Sequence, residues 1–382
     1  MVLIDEYDKV LSDNIFSANV QAMREVLGNF YQVIKTQGRF IRFAFITGVT
    51  KYAKMSVFSK MNNLSDISMD SDYALMCGYS QEELEGSFKE YIELGVKKAV
   101  MDREDYLATL KRKYDGYRFA PDAETVYNPV SVGLFFSKGG RLFNDYWIDT
   151  GSMTLLMNIA KKVDFNLATD PGKPMSMSSL GTFDILSIAE HPTEGVLKSL
   201  LLQTGYLTIA RTDPTGSVLY LGFPNAEVRE GFCNSILASY YPSDADFPAS
   251  GTLMGQAFND GNTQEAIGIL KSIYSSIQTQ DEGYYQSILY AMLLAMGADV
   301  RAEVSTAGGR IDAVLLYPGT VYVIEFKKDQ DAQAGLEQIR ARGYADQYTS
   351  NPQGKTIHLL GISFDSGLRN ISDWKEEIIN QQ

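Results

Sequence analysis

The sequence predicts an α/β protein with three successive regions. In the first 50 residues two apolar runs flank an amphipathic helix, from about 80 to 280 helical periodicity dominates, and the last hundred residues alternate strands with helices. A chain of 382 residues is long enough for two or three domains. We place their boundaries at 1–120, 121–262 and 263–382.

The amino-terminal region reads as strand, helix, strand. "MVLID" is a short apolar strand, the helix that follows ends near Gly38, and "RFIRFAFITGV" is the second strand. Such alternation indicates a parallel sheet, whose functional residues lie at the carboxyl ends of the strands. Asp5, Glu6 and Thr47 fall there, and an apolar strand ending in Asp-Glu suits Mg-nucleotide hydrolysis. The alternative is a pair of solvated strand-end carboxylates.

The middle region is mostly helical and contains one predicted hairpin. Ser80 and Glu83 have the spacing of a capping box. "GYLTIARTDPTGSVLYLGF" predicts two strands around a turn, and Pro224 suits the first turn of the next helix. Either a winged-helix module or a structural subdomain fits this order. Residues 241–264, rich in Gly, Ser, Asp and Asn, are expected to form a linker.

The carboxy-terminal region predicts a compact αβββαβ unit. Its parts are a helix over 281–297, three strands near 299–305, 309–317 and 320–327, a helix over about 331–350, and the strand "TIHLLGISF".

Composition excludes several classes of function. A net charge of −13 argues against a broad basic nucleic-acid surface, so any nucleic acid must be held locally by a metal ion or a small basic rim. Two cysteines and two histidines without ligand spacing argue against a disulfide framework or a zinc site. No apolar run reaches the length of a membrane span. We therefore expect a cytoplasmic protein.

The hairpin around Pro318-Gly319 predicts a metal site. If its strands pair symmetrically about that turn, Asp312 lies opposite Glu325 on one face, and strand alternation adds Lys327 to the same face. Two facing carboxylates repel each other unless a divalent cation lies between them. The plainer alternative is a lysine paired with surface carboxylates. The spacing D-x12-E-x-K, after a helix that carries Glu282, is more specific than that alternative.

Seven ordered motifs carry a family resemblance: "LIDEYDKVL", "FAFITGVTKYAKMSVFSKMNNLSDIS", "YALMCGYSQEEL", "YDGYRF", "VYNPVSV", "LLQTGYLTI" and "LGFPNAEVREGF". Together they resemble the bacterial AAA-ATPase-like family with a C-terminal PD-(D/E)XK nuclease domain. The resemblance implies a partial P-loop-type ATPase α/β module, a helical region with a wing-like hairpin, and an αβββαβ nuclease-like domain. It also makes Asp5 and Glu6 the Walker B pair and puts Thr47 near the sensor position.

The family's phosphate-binding glycine loop should precede the first strand, and "GKT" at 354–356 lacks the required first glycine. We expect a shortened reading frame that does not hydrolyse ATP or bind it tightly. A parallel sheet without its first strand exposes apolar surface, so we also expect a homo-oligomer.

The resemblance assigns roles in the nuclease-like domain. Asp312 and Glu325 would bind Mg²⁺ or Mn²⁺, Lys327 would orient or deprotonate the attacking water, and Glu282 would assist the metal shell. Gln338 in "GLEQIRARGYADQY" either supports the site or is an ordinary surface helix residue. Arg340 and Arg342 line a phosphate path or are solvated charges.

The predicted function is a divalent-metal-dependent nuclease fused to a remnant ATPase-like module. Its partner is nucleic acid, DNA in preference to RNA. The alternative is a non-catalytic regulatory or interaction protein that uses both modules as a scaffold. The acidic balance favours that alternative, whereas Asp312, Glu325 and Lys327 together with Glu282 favour the enzyme.

Overall fold

The computed structural model describes most of the chain. The described residues are 1–50, 64–148, 156–157, 159–160, 163, 174–177, 193–240, 247–276, 291–294, 299–306, 309–349 and 355–379. They form a mixed α/β protein with two compact units, Met1–Phe165 with Pro171–Val228 and Asn166–Asp170 with Arg229–Gln382. The three-part division stays a prediction. None of the described helices combines the length and the apolar character that a membrane span requires.

The first unit begins with the strand–helix–strand arrangement that the sequence predicts. Strands β1 (Val2–Ile4) and β2 (Ala44–Ile46) are parallel, with Leu3 opposite Phe45. Between them lie α1 (Lys9–Asp13) and α2 (Val20–Thr36), followed by a 3₁₀ turn at Gly38–Phe40. That turn occupies the start of the predicted second strand, which is therefore shorter than expected.

A cluster of helices follows. They are α3 (Gln81–Ser87), α4 (Lys89–Ala99), α5 (Arg103–Tyr114), α6 (Pro129–Ser137) and α7 (Glu194–Gln203), and a 3₁₀ turn at Ser71–Tyr73 precedes them. The predicted capping box is present, since Ser80 Oγ accepts from the Glu83 N–H and the Glu83 carboxylate accepts from the Ser80 N–H. The core of this cluster is built from buried aromatic and aliphatic side chains: Leu84, Ile92, Tyr106, Leu110, Tyr114, Tyr127, Val132, Phe135, Phe136 and Tyr146.

The predicted hairpin is present as β4 (Thr208–Thr212) and β5 (Val218–Gly222), and the short strand β3 (Met175–Ser176) pairs with β5. The next helix, α8, spans Ala226–Tyr240. Its first turn therefore excludes Pro224, contrary to the sequence expectation. Asn225 has the capping role instead, because its side-chain oxygen accepts from the Val228 N–H. The winged-helix interpretation stays a prediction.

The expected linker over 241–264 is wrong for most of its length, because α9 spans Phe247–Asn259 and α10 begins at Thr263 and ends at Ser276. Glycine and serine lower helix propensity there. Met254, Ala257 and Phe258 are nevertheless buried, and burial of an apolar face outweighs a weak local preference.

The second unit contains a five-stranded sheet with the order β10-β9-β8-β7-β6. Its strands are β6 (Asp299–Thr306), β7 (Gly309–Leu316), β8 (Thr320–Lys328), β9 (Thr356–Asp365) and β10 (Asn370–Ile379). Neighbouring strands are antiparallel except β8 and β9, which are parallel. Strand β10 was not predicted. It is an edge strand, and its charged residues hide the apolar alternation that marks a strand.

The helix expected over about 331–350 is interrupted. It forms α11 (Ala332–Ala341) and the short α12 (Asp346–Thr349), separated where Gly343 adopts φ +61°. A left-handed glycine just after a helix is a common stop signal. Most of the helix expected over 281–297 lies outside the described residues, and within it 291–294 are helical and buried.

A glycine pair brings α11 unusually close to the sheet. A Cβ added at Gly361 on β9 would lie 2.2 Å from the Ala332 carbonyl oxygen, and one added at Gly335 would lie 3.0 Å from Gly361 Cα. Because these neighbours are backbone atoms, they cannot move aside as a flexible side chain does. The contact fixes the distance between α11 and the strands beneath it.

We expect Gly361→Ala to destabilise the second unit by about 1–3 kcal/mol through overpacking. Chemical denaturation and hydrogen exchange of the β9 amides measure this effect. Gly319→Ala is the matched control, since nothing lies within 4 Å of its added Cβ. Equal stability of the two variants would show that α11 tolerates displacement.

A buried carboxylate stabilises the first unit. Glu227 is fully buried, and its Oε1 accepts from the N–H groups of Tyr146 and Trp147 at 2.5 and 2.6 Å, while Oε2 accepts from Ser131 Oγ at 2.6 Å. Burial raises the pKa of Glu227, and these hydrogen bonds only partly oppose that shift. Since the folded pKa is above the unfolded one, the stabilisation is complete at low pH and is lost as pH rises through the folded pKa.

Glu227→Gln should remove this pH dependence while keeping the contacts, because an amide oxygen can accept both N–H groups and the amide nitrogen can donate to Ser131. As pH rises above the ordinary glutamate pKa of about 4.3, wild-type stability should fall relative to Glu227→Gln. Glu227→Ala should lose about 2–4 kcal/mol, because it leaves two backbone N–H groups unpaired. Denaturation across pH measures both effects, and parallel pH profiles of wild type and Glu227→Gln would contradict the first.

Candidate active site

The β7–β8 hairpin has the register predicted from its turn. Ala313 pairs with Ile324 and Val314 with Val323, as the symmetric turn predicts. Just beyond these pairs, the Asp312 carboxylate accepts from the Phe326 backbone N–H at 2.8 Å. This hydrogen bond holds the Asp312 side chain against β8, beside Glu325.

Glu325 is the centre of a hydrogen-bond network. It is 3% exposed, and its Oε1 accepts from Lys327 Nζ at 2.9 Å and also from the Gln338 amide nitrogen. The Gln338 amide oxygen in turn accepts from Lys327 Nζ at 2.8 Å. Gln338 thus bridges the lysine and the glutamate, and α11 is the element that carries it to the sheet. Sequence reasoning singled out Gln338 but could not show this contact.

The second oxygen of the Glu325 carboxylate differs from the first. Among the described residues, Glu325 Oε2 is buried without a hydrogen-bond partner. Burial raises the pKa of Glu325, the Lys327 hydrogen bond opposes this shift, and the nearby Asp312 charge adds to it. A buried, unpartnered carboxylate oxygen next to a second carboxylate fits a hard divalent cation, which takes oxygen ligands and compensates their charge.

Few side chains in the described part of the chain could bind a metal ion at this site. No group of three or more His, Cys, Asp or Glu side chains suited to a metal occurs in the described part of the chain. The carboxylates of Asp312 and Glu325 therefore form a two-residue set there. Glu282, the third predicted carboxylate, lies outside the described residues.

Two other residues of this segment do not join the network. Tyr344 is 2% exposed in the core of the second unit. Arg340 forms an ion pair with Glu377, which agrees with the solvated-charge interpretation rather than a phosphate path.

The structure also brings the amino-terminal candidates together. Thr47 Oγ1 donates to Asp5 Oδ1, and the Glu6 N–H lies 3.1 Å from Asp5 Oδ1 and 3.3 Å from Thr47 Oγ1. Glu6 has φ +49°, a left-handed conformation that is uncommon for glutamate. Asp5 and Glu6 are exposed, and Thr47 is half-buried. Their polar groups are already paired or open to water, unlike Glu325 Oε2.

Sequence reasoning missed Asp8, which is 1% exposed. Its carboxylate accepts from the N–H groups of Val49 and Thr50 at 3.1 and 2.6 Å and from Thr50 Oγ1 at 2.5 Å. Tyr7 Oη adds a bond to the Thr50 carbonyl at 2.7 Å. Asp8 therefore fixes the segment that follows β2. In the sequence "DEYDK", nothing distinguishes Asp8 from the other two acidic residues. Only its tertiary contact with residues 49–50 identifies its structural role.

Asp8→Ala should destabilise the first unit by about 1–3 kcal/mol, because it leaves the buried Thr50 N–H unpaired. It should also speed hydrogen exchange at residues 44–50. Asp13→Ala is the control: its ion pair with Lys9 is exposed, and its loss should cost less than about 1 kcal/mol. Indistinguishable exchange in the two variants would refute the role of Asp8.

Comparisons with known proteins match both ends of the chain. A family model for the PD-(D/E)XK nuclease superfamily covers residues 280–374, and a model described as a predicted AAA-ATPase covers residues 1–58. The chain is also similar to a protein of Azotobacter chroococcum mcd 1 described as an uncharacterized protein in the vnfD 5′ region. The two are 33% identical over 388 residues, which cover 97% of this chain and 70% of the relative.

Proposed function

This chain belongs to the family that joins an AAA-ATPase-like region to a C-terminal PD-(D/E)XK nuclease superfamily domain, and on that premise we propose that it is a divalent-metal-dependent nuclease. The observation that carries the proposal is the buried Glu325 carboxylate, bonded through Oε1 to Lys327 and Gln338 and unpartnered at Oε2. An arrangement of this kind suits hydrolysis of a phosphodiester bond in nucleic acid.

Asp312 and Glu325 would hold Mg²⁺ or Mn²⁺, with Glu325 Oε2 as a ligand that has no other described partner. The Phe326 carbonyl follows on the same strand and is a further candidate ligand. The ion, when bound, supplies positive charge that activates water and neutralises the phosphate. Glu282 would assist it, as the family resemblance implies.

Lys327 would act on water and phosphate rather than on the ion. Its ammonium group is held by Glu325 and Gln338, so it lies at the metal side of the hairpin without being a possible cation ligand itself. There it can orient the attacking water and stabilise the charge that develops on the phosphate. Gln338 is a positioning residue in this scheme, because it fixes both the lysine and the glutamate.

The amino-terminal module has a separate proposed role. Asp5, Glu6 and Thr47 are proposed as residues of a nucleotide site in this module. The exposed apolar side chains Leu3, Phe30 and Phe43 support the proposed homo-oligomer. They also favour the alternative function, a non-catalytic interaction scaffold. We propose DNA as the substrate in preference to RNA.

Asp312→Asn and Lys327→Ala should separate metal binding from catalysis. Asn keeps an oxygen that can accept from the Phe326 N–H but removes the charge, so Asp312→Asn should lose both Mn²⁺ binding and cleavage. Lys327→Ala should keep most Mn²⁺ affinity and lose at least about 100-fold in cleavage rate. Calorimetry with Mn²⁺ and cleavage of supercoiled and single-stranded DNA measure the two effects.

Lys375→Ala is the matched control, since this lysine is half-exposed on β10 and should leave both assays unchanged. Wild-type cleavage by Lys327→Ala would disprove the proposed mechanism. If the wild type neither binds Mn²⁺ nor cleaves nucleic acid, the interaction scaffold becomes the better account.

A further inference from the structure

The turn between β9 and β10 lies at the same end of the sheet as the proposed site. Strands β8 and β9 are parallel, so Lys327 pairs with Ser363 near the carboxyl ends of both strands. β9 then continues to Asp365, which pairs with Asn370 at the start of β10. The four residues between them, 366–369, form what we call the β9–β10 tip.

Two carboxylates hold the tip in one conformation. Asp329, two residues beyond Lys327, accepts from the N–H and the hydroxyl of Ser366, each at 2.8 Å. Asp365 Oδ1 accepts from the N–H groups of Gly367 and Leu368, again at 2.8 Å each. The tip is therefore linked directly to the strand that carries Glu325 and Lys327.

The helix beside the sheet anchors the tip from another side. Asn370 Nδ2 donates to the Lys271 carbonyl at 3.1 Å and to Ser275 Oγ at 2.9 Å, both on α10. Tyr274 of the same helix packs edge-on against Phe364 of β9, with ring centroids 5.9 Å apart. A turn fixed at three places loses little conformational entropy when it binds a ligand.

This rigid tip presents a large apolar side chain to water. Leu368 is 71% exposed, and the next residue, Arg369, is exposed with φ +53°. The leucine side chain is therefore open to contact with a ligand. An apolar side chain beside a positive charge is the combination with which proteins contact a base step and its adjacent phosphate.

We infer that Leu368 contacts the bases of the nucleic acid at a base step that is open or easily opened, a few nucleotides from the phosphate held by the metal site. This inference rests on the proposed nuclease function. At about 3.3 Å per strand residue, the tip projects roughly 10 Å beyond the level of Lys327. At about 3.4 Å per nucleotide, that distance corresponds to about three nucleotides from the scissile phosphate.

Four charged side chains lie around the tip, and their formal charges cancel. The two nearby carboxylates, Asp329 and Asp365, accept hydrogen bonds from the turn itself, while Arg369 and Lys328 add positive charge at this end of the sheet. In a chain of net charge −13, a broad basic surface cannot supply affinity. Contacts with bases do not depend on charge, so they can add affinity for nucleic acid.

Leu368→Ser tests the inference, with Ile378→Ser as its matched control. Ile378 is 49% exposed on β10, and it pairs with His358 at the opposite end of the sheet from the tip. The probe is a fluorescein-labelled DNA duplex with a single-strand junction, titrated by anisotropy in Ca²⁺. Leu368→Ser should weaken binding about tenfold, as expected from one lost leucine contact. The control should stay within about twofold of the wild type.

A second readout reports the base contact itself. In DNA with 2-aminopurine about three nucleotides from the cleavage position, wild-type protein should raise the fluorescence by unstacking that base, whereas Leu368→Ser should not. Scanning the probe base on both sides of the cleavage position locates the contact. Mn²⁺ affinity should be equal in the wild type and Leu368→Ser.

The outcomes separate the two claims. Equal DNA affinity and 2-aminopurine signal in Leu368→Ser and wild type overturn the role of the tip, while Mn²⁺-dependent cleavage by the wild type keeps the proposed function. A wild type that neither binds nor cleaves DNA or RNA overturns both. If Leu368→Ser changes self-association in light scattering but not DNA affinity, the tip is a protein contact and the inference fails.

Discussion

Burial of the Glu325 carboxylate is the constraint on which the carboxy-terminal site depends. Removing a carboxylate from water is costly unless charged or polar groups compensate it. Lys327 and Gln338 compensate the charge by donating hydrogen bonds to Oε1. The unpartnered Oε2 and the nearby Asp312 charge increase the free-energy cost of burial. Since removing either donor leaves the charge less compensated, the geometry of all four side chains is coupled, and a cation at Oε2 would complete the compensation.

The position of α11 follows from the same constraint. A Cβ at Gly335 would lie 3.1 Å from the Glu325 carbonyl oxygen, so this helix lies almost directly on the strand that carries the site. Gln338 is three residues later on the same helical face, which explains how a short amide side chain reaches the glutamate. Larger residues at 335 or 361 would move the helix outward and take Gln338 away from Lys327 and Glu325. The glycine pair is thus part of the site, although neither residue has a functional group.

Sequence patterns predicted what depends on local order. The β7–β8 register follows from the turn at Pro318-Gly319 and the apolar runs beside it, and the parallel β1–β2 pair follows from strand–helix–strand alternation. Features that depend on tertiary contacts escaped prediction. The buried face of α9 is hidden by its glycines and serines, β10 is hidden by edge-strand charges, and the contacts of Asp8 and Glu227 join residues far apart in sequence. The contact of Gln338 with Lys327 likewise needed the close approach of α11.

The two clusters of carboxylates differ in what they require from a ligand. Asp5 and Glu6 are exposed, and Thr47 already donates to Asp5, so water and protein satisfy them without an ion. Glu325 Oε2 has neither, and an unsatisfied buried acceptor costs about 1–3 kcal/mol or more when charged. A cation bound to Oε2 would remove that cost, and this gain would add to the free energy of cation binding. A cation at this site would make the local charge positive in an otherwise acidic protein. Such a protein could then bind an anionic polymer at this one point, without a broad basic surface.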